Sequence, residues 1–368
     1  MSVGARILLI GPGDLGQRLA AGLASFPEVG ELVLAGRDPG WGGPLAALIE
    51  ACGTCRVRFH ELDVHRRGDL ERLLRRERPD LLVQCAAEFS PWWLGERPEP
   101  LAAALGRAGF ALQLPVQLPL VMAVMQGVRT AGLGAPVVNA SYPDVTHPIL
   151  AARGLAPTVG IGNAGMIEAR VRAALRHRPE IDGAEPIRVA AHHAHVTPVV
   201  QARPPAPPAT RPRVYLGEEG RRDDALAFAG PPLPSERRLN ALSAAAGLPL
   251  LRALLAGGPA LRTSAPGPAG LPGGWPVRVE AGRIELDLPT GAGRDELEAF
   301  QWESARQDGV ERVEADGTVV FTAEARAELR PWAGELAEPL ALEEVEERRD
   351  FLFYRLGIAT EPVRRPAC

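Results

Sequence analysis

Short apolar runs alternate along the first half of the chain with segments whose apolar residues recur every three or four positions. The apolar runs predict buried strands, and the periodic segments predict amphipathic helices. Strands are predicted at 7–10, 31–38, 57–64, 79–89 and 134–145. Strands that alternate with helices at this spacing form parallel sheets, so the pattern predicts a doubly wound parallel sheet.

The second half of the chain has a mixed pattern. A sixth strand, a glycine turn and a long helix are predicted over 156–178, and a further strand over 187–200. A helix is predicted at 235–257, and hairpins at 278–289 and 310–322. The fold class predicted for the whole chain is therefore α/β, a Rossmann-type doubly wound parallel sheet followed by a C-terminal α+β domain.

A glycine-rich turn follows the first predicted strand and leads directly into a helix. It reads Gly11-Pro12-Gly13-Asp14-Leu15-Gly16, a G-x-G-x-x-G in the strand–turn–helix context of dinucleotide-binding sites. Gly11 permits the tight turn, Gly13 allows the backbone to approach a pyrophosphate, and Gly16 allows helix and strand to pack closely. The N-terminus of the helix, at Asp14 and Leu15, favours a phosphate there. The alternative is a tight turn that holds no ligand.

The ends of the next strands indicate which nucleotide would bind. The place at the end of the second strand where NAD-binding folds carry an acidic residue holds Gly36-Arg37, and a guanidinium suits a 2′-phosphate. This favours NADP, with NAD as the alternative because Asp38 follows. Asp63 is a candidate for the adenine side. Residues 85–88, and so Ala86 and Ala87, lie at the carboxyl end of the fourth strand and are expected near the nicotinamide.

Three segments follow from these patterns. We predict an NAD(P)-binding Rossmann domain at 1–150, an α+β substrate or catalytic domain at 151–330 with a proline-rich insertion at 202–212, and a C-terminal helical extension at 331–368.

The amino-acid composition excludes several kinds of active site and partner. The chain of 368 residues contains no lysine, which excludes a Walker A loop, Schiff-base chemistry and the Tyr-Lys pair of short-chain dehydrogenases. A net charge of −4 without a basic block argues against nucleic acid. No apolar run reaches the length of a membrane span and no leader is visible, so we expect a cytoplasmic protein. Its four cysteines make no disulfide framework.

Three histidines cluster in the strand predicted at 187–200. On a strand, His193 and His195 would share one face and His192 would take the other. Paired histidines with Asn163 or Glu168 nearby would suit a metal, but no ligand spacing is specific, so no metal ligand is assigned. Three structural histidines are the remaining alternative.

The order of these pieces resembles the lactate/malate dehydrogenase superfamily, which also contains the NAD-dependent family 4 glycosidases. Ser141-Tyr142-Pro143 is similar to the Ser-Asn-Pro turn of that family. The segment TVGIGNAGMIEARVR corresponds to its strand and helix with G-x-x-L-D-S-A-R-x-R, and AHHAHVTP to its catalytic G-E-H-G-D-S-x-x-P. PVRVEAGRIELDLP and ELEAFQWESARQDGVERV resemble its strand pair and final long helix. The resemblance covers residues 6 to about 330.

The resemblance implies a set of site residues. His193 would be the acid/base, Glu168 would orient its imidazole, Arg170 would clamp a substrate carboxylate, and Arg97 would be the arginine of a mobile loop. In the family the arginine follows the carboxylate by three positions along the helix, whereas Arg170 follows Glu168 by two. We therefore expect a substrate that is larger or less anionic than a plain 2-oxo acid.

The resulting hypothesis is an NADP(H)-linked oxidoreductase that moves hydride to or from a carbonyl or imine of a small molecule. The alternatives are a nicotinamide-dependent and possibly metal-dependent hydrolase or lyase of the family 4 type, and a nucleotide-binding protein without catalysis. Like many such proteins, it is expected to form a homodimer or a higher homo-oligomer.

Overall fold

A six-stranded parallel sheet forms the first half of the protein, for which a computed structural model describes residues 4–66, 68–177 and 185–358. The strands follow the order β3-β2-β1-β4-β5-β6, and every neighbouring pair is parallel. They span β1 (Ala5–Ile10), β2 (Val29–Gly36), β3 (Arg56–Glu61), β4 (Leu81–Gln84), β5 (Val137–Asn139) and β6 (Val159–Gly160). This confirms the predicted Rossmann-type α/β fold.

Helices cover both faces of this sheet, because the central strands are buried on both sides and need apolar cover. They are α1 (Asp14–Leu23), α2 (Pro39–Cys52), α3 (Asp69–Glu77), α4 (Pro100–Ala108), α5 (Leu114–Ala131) and α6 (Pro143–Ala151). Within the described ranges one helical stretch, Phe110–Ala131, is long and apolar enough to cross a membrane. Most of it is buried inside the protein, as in the core helix of a globular fold.

The strand order reverses beside β1. The chain runs outward from β1 through β2 to β3 and then returns to place β4 on the other side of β1. The backbone N–H of Cys85 donates to the carbonyl of Ile10 over 2.8 Å, which keeps the ends of β4 and β1 together. A crevice therefore opens at the carboxyl ends of these strands, where such folds bind ligands.

Small antiparallel sheets and further helices make up the second half. The strands are β7 (Ile187–Ala190), β8 (Arg213–Leu216), β9 (Arg221–Arg222), β10 (Leu261–Pro266), β11 (Gly274–Glu280), β12 (Arg283–Leu286), β13 (Val310–Val313) and β14 (Val319–Phe321). The helices are α7 (Asn163–Leu175), α8 (Val196–Val200), α9 (Asn240–Ala253), α10 (Arg294–Gln307), α11 (Ala323–Ala333) and α12 (Val345–Arg355). Both predicted hairpins form, β11–β12 and β13–β14.

The predicted C-terminal extension packs on the half of the protein that contains the parallel sheet. Val345 and Leu352 of α12 belong to the same buried apolar cluster as residues of α4 and α5. Arg349 of α12 also lies 3.3 Å from Glu88, which follows β4. The boundary predicted at residue 330 falls inside α11, and the last part of the extension, 359–368, lies outside the described residues.

The strand predicted over 187–200 is wrong beyond its first part. β7 ends at Ala190, and His193–His195 form a short 3₁₀ turn that leads into α8. The backbone N–H groups here bond to side chains instead of a neighbouring strand: that of His192 donates to His195 Nδ1 (2.9 Å) and that of His193 to Asp144 (3.0 Å). The histidines therefore do not alternate across a strand.

Candidate functional site

A cavity of about 620 Å³ lies in the crevice at the carboxyl edge of the parallel sheet. Its walls come from the glycine turn, from the segments that follow β2, β3, β4 and β5, and from the first turns of α7 and α9. All nine residues predicted at the nucleotide site line it: Gly11, Gly13, Asp14, Leu15, Gly16, Arg37, Asp63, Ala86 and Ala87.

The glycines of the turn have different local constraints. Gly11 has φ +85°, and a Cβ there would lie only 2.6 Å from Ala86 Cα. A Cβ on Gly16 would overlap the carbonyl oxygen of Gly11. A Cβ on Gly13 would meet nothing within 4 Å, although Gly13 lines the cavity. Gly11 and Gly16 therefore shape the turn, and Gly13 leaves open space beside the N-terminus of α1.

Asp14 places a carboxylate at the same helix N-terminus. It accepts hydrogen bonds from Arg18 (3.1 Å) and from Asn240 of α9 (2.8 Å). Burial would raise the pKa of Asp14, but the bonds from Arg18 and Asn240 outweigh it and hold the pKa below its usual value. These two partners satisfy the charge, and the bond from Asn240 links the glycine turn to the second half of the protein.

At the other end of the cavity, Arg37 follows β2 and is exposed. The neighbouring Asp38 caps α2, since its carboxylate accepts from the backbone N–H groups of Gly40 (2.9 Å) and Trp41 (3.2 Å). Asp63 accepts from the N–H of His65 at 3.1 Å. Asp38, the acidic side chain next to Arg37, is therefore already occupied with capping α2.

His193 lines the cavity and is held from three sides. Its Nδ1 donates to Asp308 Oδ2 over 2.9 Å, and its backbone N–H donates to Asp144. Its ring stacks on Phe110 with the centroids 4.1 Å apart and meets the edge of Tyr142 at 5.3 Å. Within the described ranges no hydrogen bond occupies Nε2, so that nitrogen is available to a ligand in the cavity.

Asp308, directly after α10, is the centre of a buried polar cluster. Besides His193, its Oδ2 accepts from the hydroxyl of Tyr142 (3.2 Å) and lies 3.2 Å from His192 Nδ1. Burial would raise the pKa of Asp308, but the charge and hydrogen bonds of His193 and His192 hold it well below its usual value. Burial alone would lower the pKa of His193, and the charge and hydrogen bond of Asp308 raise it instead.

Glu168 does not contact His193, so the predicted histidine–glutamate pair is wrong. The Glu168 carboxylate accepts from Arg172 one turn along α7 (2.6 Å) and from the hydroxyl of Thr263 (3.1 Å). Burial raises the pKa of Glu168, and the charge of Arg172 opposes the rise only in part. Glu168 therefore anchors α7 to β10, and Asp308 occupies the position beside the imidazole.

The two arginines predicted to contact substrate are also engaged elsewhere. Arg170 is buried and donates to the carbonyls of Pro231 (3.0 Å) and Ala229 (3.4 Å). Arg97 bonds to Glu99 (2.6 Å) and to the carbonyl of Leu356 (2.8 Å). Neither arginine lines the cavity. In the structure their guanidinium groups hold loops in place.

The alternative of a metal site required His193 and His195 to share one face of a strand. They lie in a 3₁₀ turn instead. His195 Nδ1 accepts the N–H of His192, its ring stacks on Phe300, and burial lowers its pKa to about 3. In the part of the chain that the structure describes, no group of three or more His, Cys, Asp or Glu side chains is arranged to hold a metal ion.

Asp308 and Asp144 are the site residues that sequence reasoning missed. Asp308 lies in Gln307-Asp308-Gly309 at the end of a helix, a pattern typical of an ordinary turn. Asp144 is the second residue of α6 and directly follows the Ser141-Tyr142-Pro143 turn, which the sequence did single out. The long-range contact between residues 193 and 308 leaves no local pattern in the sequence.

Comparison with known proteins supports the fold. No protein-family model matches the sequence, and no curated protein matches it either. Among solved structures, a malate dehydrogenase from Cryptosporidium parvum matches with a TM-score of 0.51 at 13% identity. A lactate dehydrogenase from a Medee basin deep-sea metagenome library matches with a TM-score of 0.50 at 12% identity. Each match covers 83% of this chain and 96% of the other. The chain therefore has the fold of lactate and malate dehydrogenases.

Proposed function

We propose that this protein is an NADP(H)-linked oxidoreductase that interconverts a carbonyl, or an imine, and its reduced form in a small molecule. One observation carries the proposal: His193, with Nδ1 bonded to a buried carboxylate, lines the same cavity as the glycine turn. A nucleotide-binding turn and a titratable imidazole that share one cavity are what hydride transfer coupled to proton transfer requires.

The residues present fit a dinucleotide. The open space at Gly13 suits a pyrophosphate beside the N-terminus of α1, and Ala86 and Ala87 leave room beyond the end of β4. Exposed Arg37 favours a 2′-phosphate and therefore NADP over NAD, since Asp38 is occupied with capping α2. Bound there, the nicotinamide would supply the hydride donor or acceptor.

His193 would exchange the proton. Asp308 accepts from Nδ1, which fixes the tautomer and leaves Nε2 as the nitrogen that gives or takes a proton at the substrate oxygen. The buried carboxylate also stabilises the imidazolium and so raises the pKa of His193. Asp308 is thus a positioning residue, taking the role that the resemblance assigned to Glu168.

Nucleotide binding is the first test. Trp41 and Trp92 line the cavity, so titration with NADPH or NADH should quench the tryptophan fluorescence, with NADPH saturating at the lower concentration. Protein that binds neither nucleotide contradicts the proposal. Retained NADPH binding without turnover of any compound in a broad carbonyl panel would favour a non-catalytic nucleotide-binding protein.

The second test concerns His193. Oxidation of NADPH at 340 nm with any substrate from that panel should fall at least about a hundredfold in His193→Gln, since a positioned acid or base contributes about 10²–10⁴. His177→Gln, at a histidine outside the cavity, is the matched control and should keep the parental rate. Activity abolished by a chelator without net change in cofactor absorbance would instead favour the metal-dependent hydrolase or lyase.

A further inference from the structure

The part of the cavity around His193 is apolar and aromatic. Trp92, Phe110, Tyr142, Met166, Val196 and Leu239 line the cavity with it. Trp92 also packs on the apolar cluster that includes residues of α7 and α8. A ligand that reaches His193 therefore meets the rings of Phe110 and Tyr142, with Asn163 and Thr197 among the polar side chains of the same cavity.

The charge that lies behind His193 is negative. Asp308 bonds to the His193 ring and Asp144 to its backbone N–H, and both carboxylates are buried. A carboxylate on the substrate would be brought close to both. The imidazolium of His193 offsets one of these charges, so the site offers an anionic substrate no net positive charge.

No guanidinium reaches this end of the cavity to offset that charge, within the ranges that the structure describes. Arg97 and Arg170 do not line the cavity. Arg37 follows β2, three strands from β5, and adjacent strands lie about 4.8 Å apart, so its backbone is about 14 Å from that of Tyr142. Arg237 lines the cavity, but it pairs with Glu96 (2.7 Å) and its charge acts on Asp14 of the glycine turn. The clamp that a 2-oxo acid needs is therefore missing near His193.

Among the residues that the structure describes, two buried N–H donors of cavity-lining side chains have no hydrogen-bond partner. Gln117 is 3% exposed; its Oε1 accepts from the hydroxyl of Ser141 (2.7 Å), and its Nε2 makes no hydrogen bond. Trp92 Nε1 is buried and also unpartnered. Both residues line the cavity. A buried donor left unpaired is costly, and an acceptor atom of a bound ligand would satisfy it.

We propose that the substrate is an uncharged carbonyl compound with an apolar or aromatic body, oriented by hydrogen bonds from Trp92 Nε1 and Gln117 Nε2 instead of by an arginine. The inference rests on the proposed function. In the reducing direction the carbonyl carbon accepts a hydride from the reduced nicotinamide, and the carbonyl oxygen accepts a proton from His193 Nε2. The products are the alcohol and the oxidised nicotinamide.

A matched pair of compounds tests the charge preference. 1-Phenylpropane-1,2-dione and phenylglyoxylate both carry a phenyl ring on an activated carbonyl, and only the second is an anion. The neutral dione should have a kcat/KM with NADPH at least about tenfold higher than that of phenylglyoxylate. Equal or better use of the anion overturns the proposal.

Binding gives a readout that is independent of turnover. Calorimetric titration of the protein saturated with NADP⁺ should show binding of the neutral dione and weaker or no binding of phenylglyoxylate. Preferred binding of the anion, or binding of neither compound to the nucleotide complex, overturns the inference about the substrate. Failure of the protein to bind the nucleotide overturns the proposed function instead, so the two failures are distinguishable.

Variants test the two donors. Trp92→Phe keeps the aromatic surface and removes the N–H, and should weaken binding of the neutral dione about fivefold, the size expected for one lost neutral hydrogen bond. Gln117→Met should have a similar effect. Trp332→Phe, at an exposed tryptophan outside the cavity, is the matched control and should change nothing. Dione affinity that is unchanged in Trp92→Phe and in Gln117→Met refutes the assigned contacts.

Discussion

Gly13 offers a substitution that separates nucleotide binding from folding. An alanine Cβ at this position would meet no protein atom within 4 Å, and the backbone (φ −73°, ψ −163°) is one that alanine adopts readily. The protein should therefore accept Gly13→Ala without strain. A pyrophosphate that approaches the N-terminus of α1 would meet the new methyl group.

Gly13→Ala should change folding stability and nucleotide affinity in opposite directions. A glycine-to-alanine change at a compatible backbone conformation stabilises a protein by about 0.4–1 kcal/mol, because the unfolded chain loses freedom. Displacing the nucleotide from one close backbone contact should cost at least about 2.8 kcal/mol, which is a hundredfold in Kd at 1.4 kcal/mol per factor of ten. Gly13→Ala should thus unfold at the same or a slightly higher temperature and bind NADPH at least about a hundredfold more weakly.

Thermal unfolding and fluorescence titration together measure both quantities. Gly106→Ala is the control: its Cβ also meets nothing within 4 Å, but it lies on α4 outside the cavity and should leave NADPH affinity unchanged. Gly13→Ala protein that binds NADPH like the parent would refute the assignment of this turn to the pyrophosphate. A marked loss of thermal stability would refute the reading of the space at Gly13 as open.

Three further substitutions test other parts of the site. Asp308→Asn removes the charge that raises the pKa of His193. The limb of the pH–rate profile on which carbonyl reduction slows with rising pH should therefore move to lower pH. The control Asp295→Asn, at the first turn of α10, should leave that limb in place. Arg37→Ser should raise the Kd of NADPH about tenfold or more with little change for NADH, as expected for a lost charge-assisted bond. Glu168→Gln breaks the pair with Arg172 and should lower the unfolding temperature without moving the pH–rate profile, whereas a shifted profile would restore Glu168 as the partner of His193.

The gathering of the glycine turn and the strand ends in one cavity was predictable because its determinants are local. The glycine turn occupies six consecutive residues between a strand and a helix, and the ends of parallel strands meet at one edge of the sheet. Arg37 and Ala86 could therefore be assigned to one cavity from their places after β2 and β4 alone. The structure gathers them there, and this needed no knowledge of side-chain packing.

The chemistry around His193 was not predictable in the same way. The apolar residues of 187–200 favour a strand, yet the N–H of His193 bonds to a carboxylate of α6 and the chain turns. The carboxylate beside the imidazole comes from a residue 115 positions away. The resemblance directed attention to α7, where Glu168 has an ion pair of its own. Such long-range choices depend on packing, which a single sequence does not encode in any short pattern.

The position of Asp308 links the chemistry to the assembly of the whole chain. Its backbone carbonyl accepts from Ala111 of the nucleotide-binding half (2.9 Å), and its side chain holds Tyr142 of that half and His193 of the other. A chain in which only the parallel sheet had formed would possess the glycine turn and no paired imidazole. The paired imidazole therefore exists only when the two halves are docked, and a rise in the pKa of His193 marks that docking.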